Sequence, residues 1–157
     1  MNTNIKDIEC FLIDIEGAIL LGNNLIDYAN EFLDTLINQN KKYIFITNNL
    51  SKSIYIEKLR ELGIDCNKEN ICSLDEITDI DSICKKFNIQ KSSMAIVGDK
   101  LYDNMLLGQS LGITSILVLS GISTMYDLEM SDIHPTFVFS SIKDIYTNIK
   151  DTLVENI

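Results

Sequence analysis

The sequence has 157 residues, 46% hydrophobic and 23% charged, which is enough chain to bury a core and too apolar a composition for disorder. Its formal net charge is −10 and no stretch concentrates Lys and Arg, so binding to a nucleic-acid backbone, which needs clustered cations, is not expected. A small phosphorylated ligand stays open, because a metal ion can reverse the local field of an acidic protein.

In chain order, residues 1–6 are polar and lack the apolar run of a signal peptide. Residues 10–13, Cys-Phe-Leu-Ile, form a short apolar run that predicts a buried strand ending at Asp14. From 25 to 40, apolar residues at Leu25, Ala29, Phe32, Leu33 and Leu36 have helical spacing. Residues 43–46 predict a second strand, ending at Thr47-Asn48-Asn49, and 53–62 an amphipathic helix closed by Gly63. A weak strand at 71–72 precedes a helix over 77–87, with Ile80, Ile83, Cys84 and Phe87 on one face. Residues 94–97 predict a strand leading into Gly98-Asp99, and 101–111 a helix closed by Gly112. A strand at 115–119, a weaker one at 137–139 and a helix from about 142 complete the series.

β-branched runs alternating with helices imply a parallel sheet covered on both faces. The expected fold is thus a doubly wound α/β domain of three layers, one domain spanning 1–157. Pro135 precedes the last strand, which suits an edge position. His134 beside it is given no role. Cys10, Cys66, Cys72 and Cys84 show no CxxC pairing and no nearby His, so they read as reduced thiols of a cytoplasmic protein. No stretch approaches the ~20 apolar residues of a membrane span, so no membrane partner is expected.

In open α/β sheets, ligands bind beyond the carboxyl ends of the strands. Three predicted strands end in polar groups there: Asp14-Ile15-Glu16-Gly17, Thr47-Asn48-Asn49 and Gly98-Asp99-Lys100. Carboxylates brought together at such a place repel unless a cation lies between them, and an oxygen-lined site suits Mg²⁺. Taken singly, an Asp at a strand–helix junction is often only a helix cap, and Thr-Asn-Asn only a turn.

Together these motifs resemble the haloacid-dehalogenase-like phosphatases, in the form used by the NagD and p-nitrophenylphosphatase branch. Residues 11–17 look like the family's first motif, 45–53 like the second and 96–101 like the fourth; 57–65 and 117–124 are also similar to that branch. The resemblance implies Mg²⁺ and a phosphorylated substrate, small or macromolecular. It implies Asp14 as the nucleophile that takes up the phosphoryl group. Glu16 would be general acid/base, its backbone carbonyl helping to bind the metal. Thr47 and Asn48 would hold the phosphoryl group, and Asp99 would be the second carboxylate on the metal.

Four departures stand out. No cap of domain size separates Gly63 from Asp99. The third-motif Lys is missing, its place falling around Leu74-Asp75. The second acidic residue of the fourth motif is Asn104, with Asp103 rotated about 100° away on a helix. Glu16 stands where Asp is usual. Loss of the Lys together with a carboxylate it would balance leaves the local charge unchanged, which reads as a site remodelled as a unit, with Lys52 or Lys100 available as a replacement cation. The leading expectation is a phosphomonoesterase with an open site, which self-association could cover. The alternative is a binding or regulatory module that retained the fold. A receiver-like signalling domain fits less well, because its acidic pair precedes the phosphorylated Asp, whereas here Asp14 comes first.

Overall fold

The computed structural model describes residues 3–47 and 52–150. The apolar runs are strands: β1 (Cys10–Asp14) is buried along its whole length. The chain then turns into a short antiparallel hairpin, β2 (Leu20–Leu21) with β3 (Asn24–Leu25), before α1 (Ala29–Asn38). This corrects the expected helix over 25–40. Gly22, at φ 65°, makes the hairpin turn, and Ile26 N–H donates to the Ile19 carbonyl at 2.8 Å, so Leu25 is drawn into strand pairing although its spacing from Ala29 is helical.

β4 (Lys42–Thr47), α2 (Lys52–Glu61) and β5 (Ile71–Ser73) follow. The helix expected from 77 begins three residues later, as α3 (Ile80–Phe87), because the Asp79 carboxylate accepts from Ser82 N–H at 3.2 Å and caps it there. Residues 74–79 alone join β5 to α3, too short a connection for a cap domain. β6 (Met94–Gly98) leads into a π-helical turn over Leu101–Met105 and then α4 (Leu106–Leu111). After β7 (Thr114–Val118) comes a helix that hydrophobic spacing did not announce, α5 (Met125–Glu129), started by a capping box between Thr124 and Asp127. β8 (Phe137–Phe139) and α6 (Ile142–Lys150) end the described chain.

The six-stranded sheet is parallel throughout, in the order β5-β4-β1-β6-β7-β8, so Pro135 does precede an edge strand. Side chains alternate between its faces. Phe11, Ile13, Phe45 and Val97 pack with Phe32 and Leu36 of α1, Leu59 of α2 and Ile145 of α6. Leu12, Ile44, Ile46 and Ile96 pack with Ile80 of α3 on the other face. The result is the expected three-layer α/β fold. Each fully buried Phe or Leu contributes about 2 kcal/mol, so the two apolar layers hold the strand ends in fixed relation. The chain builds outward from β1 to β4 and β5, then crosses to β6 on the other side of β1. The order therefore reverses beside β1. Among the described residues no helix is long and apolar enough to cross a membrane.

Candidate active site

Asp14 is the last residue of β1 and Thr47 the last of β4, while Asp99 follows β6 directly. Register pairs Asp14 with Ile46 and Ile13 with Val97, so these three side chains lie at the carboxyl ends of three adjacent strands, at the reversal point. All three are buried, Asp99 to 1% exposure. Asn48, Asn49 and Ser51 lie outside the described residues. Glu16 is half-buried, in the turn that follows β1.

The backbone leaves β1 abruptly. Ile15 N–H still donates to the Ile46 carbonyl, but Ile19 and Leu20 N–H both return to the Ile15 carbonyl, and Gly17 adopts φ 86°. A side chain at Gly17 would be strained and would also overlap the Asp99 carboxylate. Gly121, on the loop after β7, makes a similar close approach to Asp99.

That loop fixes Asp99. Ile122 N–H donates to Asp99 Oδ2 at 2.8 Å and Ser123 N–H to the Asp99 carbonyl at 3.0 Å. Ser123 Oγ accepts from Leu101 N–H at 3.0 Å, and Ser120 Oγ donates to the Gly17 carbonyl at 2.7 Å. Asp99 Oδ1 is buried with no hydrogen-bond partner among the described residues. Leaving such an oxygen bare costs about 1–3 kcal/mol, more if the group is charged.

Burial pushes the Asp14 carboxyl up from 3.8 to about 6, with the Asp99 charge adding to the rise. Opposing it are the Lys100 charge and hydrogen bonds from the Asn104 side chain and the Ile15 backbone. Asn104 Oδ1 accepts from Lys100 N–H at 3.0 Å, so its amide nitrogen is the end of that side chain left to favour the Asp14 carboxylate. Asn104 is buried and so close to Gly98 that a Cβ there would overlap it; Asp103 is exposed. Of the two lysines, Lys100 is the cation that Asp14 feels, whereas Lys52 forms an ion pair with Glu76.

Tyr55 of α2 adds a contact that sequence reasoning missed: its hydroxyl donates to Glu16 Oε1 at 3.3 Å. No motif marks Tyr55, which lies 39 residues from Glu16. The bonding roles of Ser120, Ile122 and Ser123 were missed too, although the resemblance had marked their stretch.

Among the described residues no three His, Cys, Asp or Glu converge on a metal-sized space. The acidic set is a pair. A pair suits Mg²⁺, which takes one or two carboxylates and fills its remaining positions with water and phosphate oxygens. A buried Asp99 Oδ1 without a partner among the described residues, beside a buried Asp14, has the chemistry of such a donor set.

A model of the haloacid dehalogenase-like hydrolases matches residues 11–105. The chain is 42% identical over 69 residues to the chloroplastic phosphoglycolate phosphatase 1A of Arabidopsis thaliana, covering 43% of this chain and 19% of the relative. It thus spans about a fifth of that relative's length. The fold is shared with the crystal structure of a 4-nitrophenylphosphatase from Thermotoga maritima, at a TM-score of 0.85 and 23% identity over 92% of this chain and 98% of that one. It is also shared with a glycerol phosphate phosphatase from Mycobacterium tuberculosis in complex with magnesium, at a TM-score of 0.73 and 13% identity, covering 96% and 80%. The Arabidopsis relative is named as a phosphatase, and the two solved structures share the fold.

Proposed function

The chain belongs to the haloacid dehalogenase-like hydrolases, and we propose that it is a Mg²⁺-dependent phosphomonoesterase that works through an aspartyl-phosphate at Asp14. The observation that carries this reading is Asp99 Oδ1, a buried carboxylate oxygen without a hydrogen-bond partner among the described residues, next to the buried Asp14 carboxyl. Asp14, Asp99 and the Glu16 backbone carbonyl would hold the metal. When bound, Mg²⁺ supplies positive charge that offsets the two carboxylates and the equatorial oxygens of the phosphoryl group.

The protein groups then divide the work. Asp14 attacks phosphorus; its new O–P bond forms as the ester O–P bond breaks, and the departing oxygen takes a proton from Glu16. Glu16, now a carboxylate, takes a proton from the water that attacks phosphorus. The bond to Asp14 breaks, releasing inorganic phosphate and the free carboxylate. Thr47 and Asn48 hold the phosphoryl group. Asn104 donates to Asp14 where a carboxylate could only repel it, and Lys100 supplies the nearby positive charge. This supports the reading that the third-motif Lys and the second fourth-motif carboxylate were replaced together.

The short 74–79 connection supports an open site. Tyr102, Leu106 and Ile122, exposed on segments that follow β6 and β7, support coverage by a second copy, which light scattering would detect. Hydrolysis of 4-nitrophenyl phosphate with and without Mg²⁺, by wild type and Asp14→Asn, tests the central claim. Turnover that survives Asp14→Asn, or ignores Mg²⁺, would overturn it.

A further inference from the structure

Glu16 has one methylene more than the Asp usual at its position, and therefore one more rotor to restrain if it is to deliver a proton along a fixed line. From the geometry we infer that Tyr55 is the positioning residue for Glu16, holding its Oε1 so that Oε2 faces the reacting oxygen; this rests on the phosphatase reading above.

Tyr55 lies in the first turns of α2 (Lys52–Glu61), and its ring packs against the cluster that contains Leu59 and Phe45. The anchored ring leaves the hydroxyl as its polar tip, and that hydroxyl donates to Glu16 Oε1 at 3.3 Å. A tyrosine has only two rotors to fix, so it is an inexpensive clamp for a glutamate that has three. A phenol is protonated across the neutral range and stays a donor whether or not Glu16 carries its proton. Because Tyr55 engages Oε1, Oε2 is the oxygen assigned to give a proton to the leaving group and later to accept one from water. An Asp at this position would end one carbon short of Tyr55, so the clamp and the longer acid form a matched pair. The contact that Tyr55 makes is with Glu16, so the effect assigned to it is on the alignment of the acid/base.

The test is a double-mutant cycle of Tyr55→Phe and Glu16→Asp, read by stopped-flow with 4-nitrophenyl phosphate and by steady-state rates with glycerol 2-phosphate. Tyr55→Phe keeps the ring that packs in the core, and circular dichroism checks that each variant is folded. In the Glu16 protein, Tyr55→Phe is expected to leave the first burst of nitrophenolate within about twofold, because that leaving group departs without a proton. Steady-state turnover of both substrates should fall about tenfold, since hydrolysis of the aspartyl-phosphate needs an aligned base. In the Glu16→Asp protein the same change should alter neither rate by more than about twofold. Equal losses in the two backgrounds, or a burst that slows as much as turnover, would show a merely structural tyrosine and overturn the inference. The two claims fail differently. Absence of Asp14-dependent turnover in the wild type removes the phosphatase reading and the Tyr55 role with it, whereas Asp14-dependent turnover without coupling in the cycle removes only the Tyr55 role.

Discussion

Asp14→Asn should make the metal-free protein more stable at neutral pH, although it removes the proposed nucleophile. Burial, aided by the Asp99 charge, raises the Asp14 carboxyl from 3.8 to about 6. A carboxyl whose folded pKa lies above its unfolded value binds its proton more tightly in the folded chain. Its contribution to stability is therefore full below 3.8, declines by about 1.4 kcal/mol per pH unit between 3.8 and about 6, and is lost above that. Over that interval the ionised group costs about 3 kcal/mol. The amide introduced by Asp14→Asn would be neutral at every pH and keeps an acceptor oxygen facing the Asn104 side chain, so the variant escapes the charge cost. Urea unfolding followed by circular dichroism, with EDTA present, should find the variant more stable by about 3 kcal/mol at pH 7.5 and nearly equal to wild type at pH 3.5. Mg²⁺ should narrow the gap at pH 7.5, because a ligand at a hundred times its dissociation constant stabilises the protein that binds it by about 2.7 kcal/mol. A wild type as stable as the variant at pH 7.5 in EDTA would refute the argument that Asp14 is held in an unfavourable buried position.

Gly121→Ala would place a methyl group on the Asp99 carboxylate, displacing it from Ile122 N–H, and should lower activity about 100-fold with weaker Mg²⁺ binding by calorimetry. Gly63→Ala, at φ 88° with no atoms nearby, should cost about 1 kcal/mol of stability and leave kcat/KM unchanged. Asn104→Asp alone should not raise activity: it replaces the donor to Asp14 with a like charge, and steady-state assays should show a loss of about tenfold or more. A clear gain would end the case for a paired replacement.

The α/β architecture was legible in the residues themselves. Runs such as Phe11-Leu12-Ile13 and Ala95-Ile96-Val97 are buried on both sides, as strands of a covered parallel sheet are, and a parallel sheet puts the ends of such strands on one edge. For that reason Asp14, Thr47 and Asp99 could be assigned to one end of the sheet before their neighbours were known. The hairpin at Leu20–Leu25 and the five-residue α5 were not legible, since a two-residue strand or a single helical turn is too short to establish a period. The strand order, and with it the adjacency of β1 to both β4 and β6, belongs to the tertiary structure. So does the division of labour between lysines of equal charge: Lys52 goes to Glu76 and Lys100 toward Asp14. The same holds for the Asn104 side chain favouring the Asp14 carboxylate, for the loop from Ser120 to Ser123 closing on Asp99, and for Tyr55 reaching Glu16. Local pattern governs what a segment of chain becomes, because propensity and periodicity act over a few residues. Which oxygen of Asp99 is bonded, and which has no partner among the described residues, depends on a loop more than 20 residues away, and only the packed sheet brings that loop within hydrogen-bonding distance.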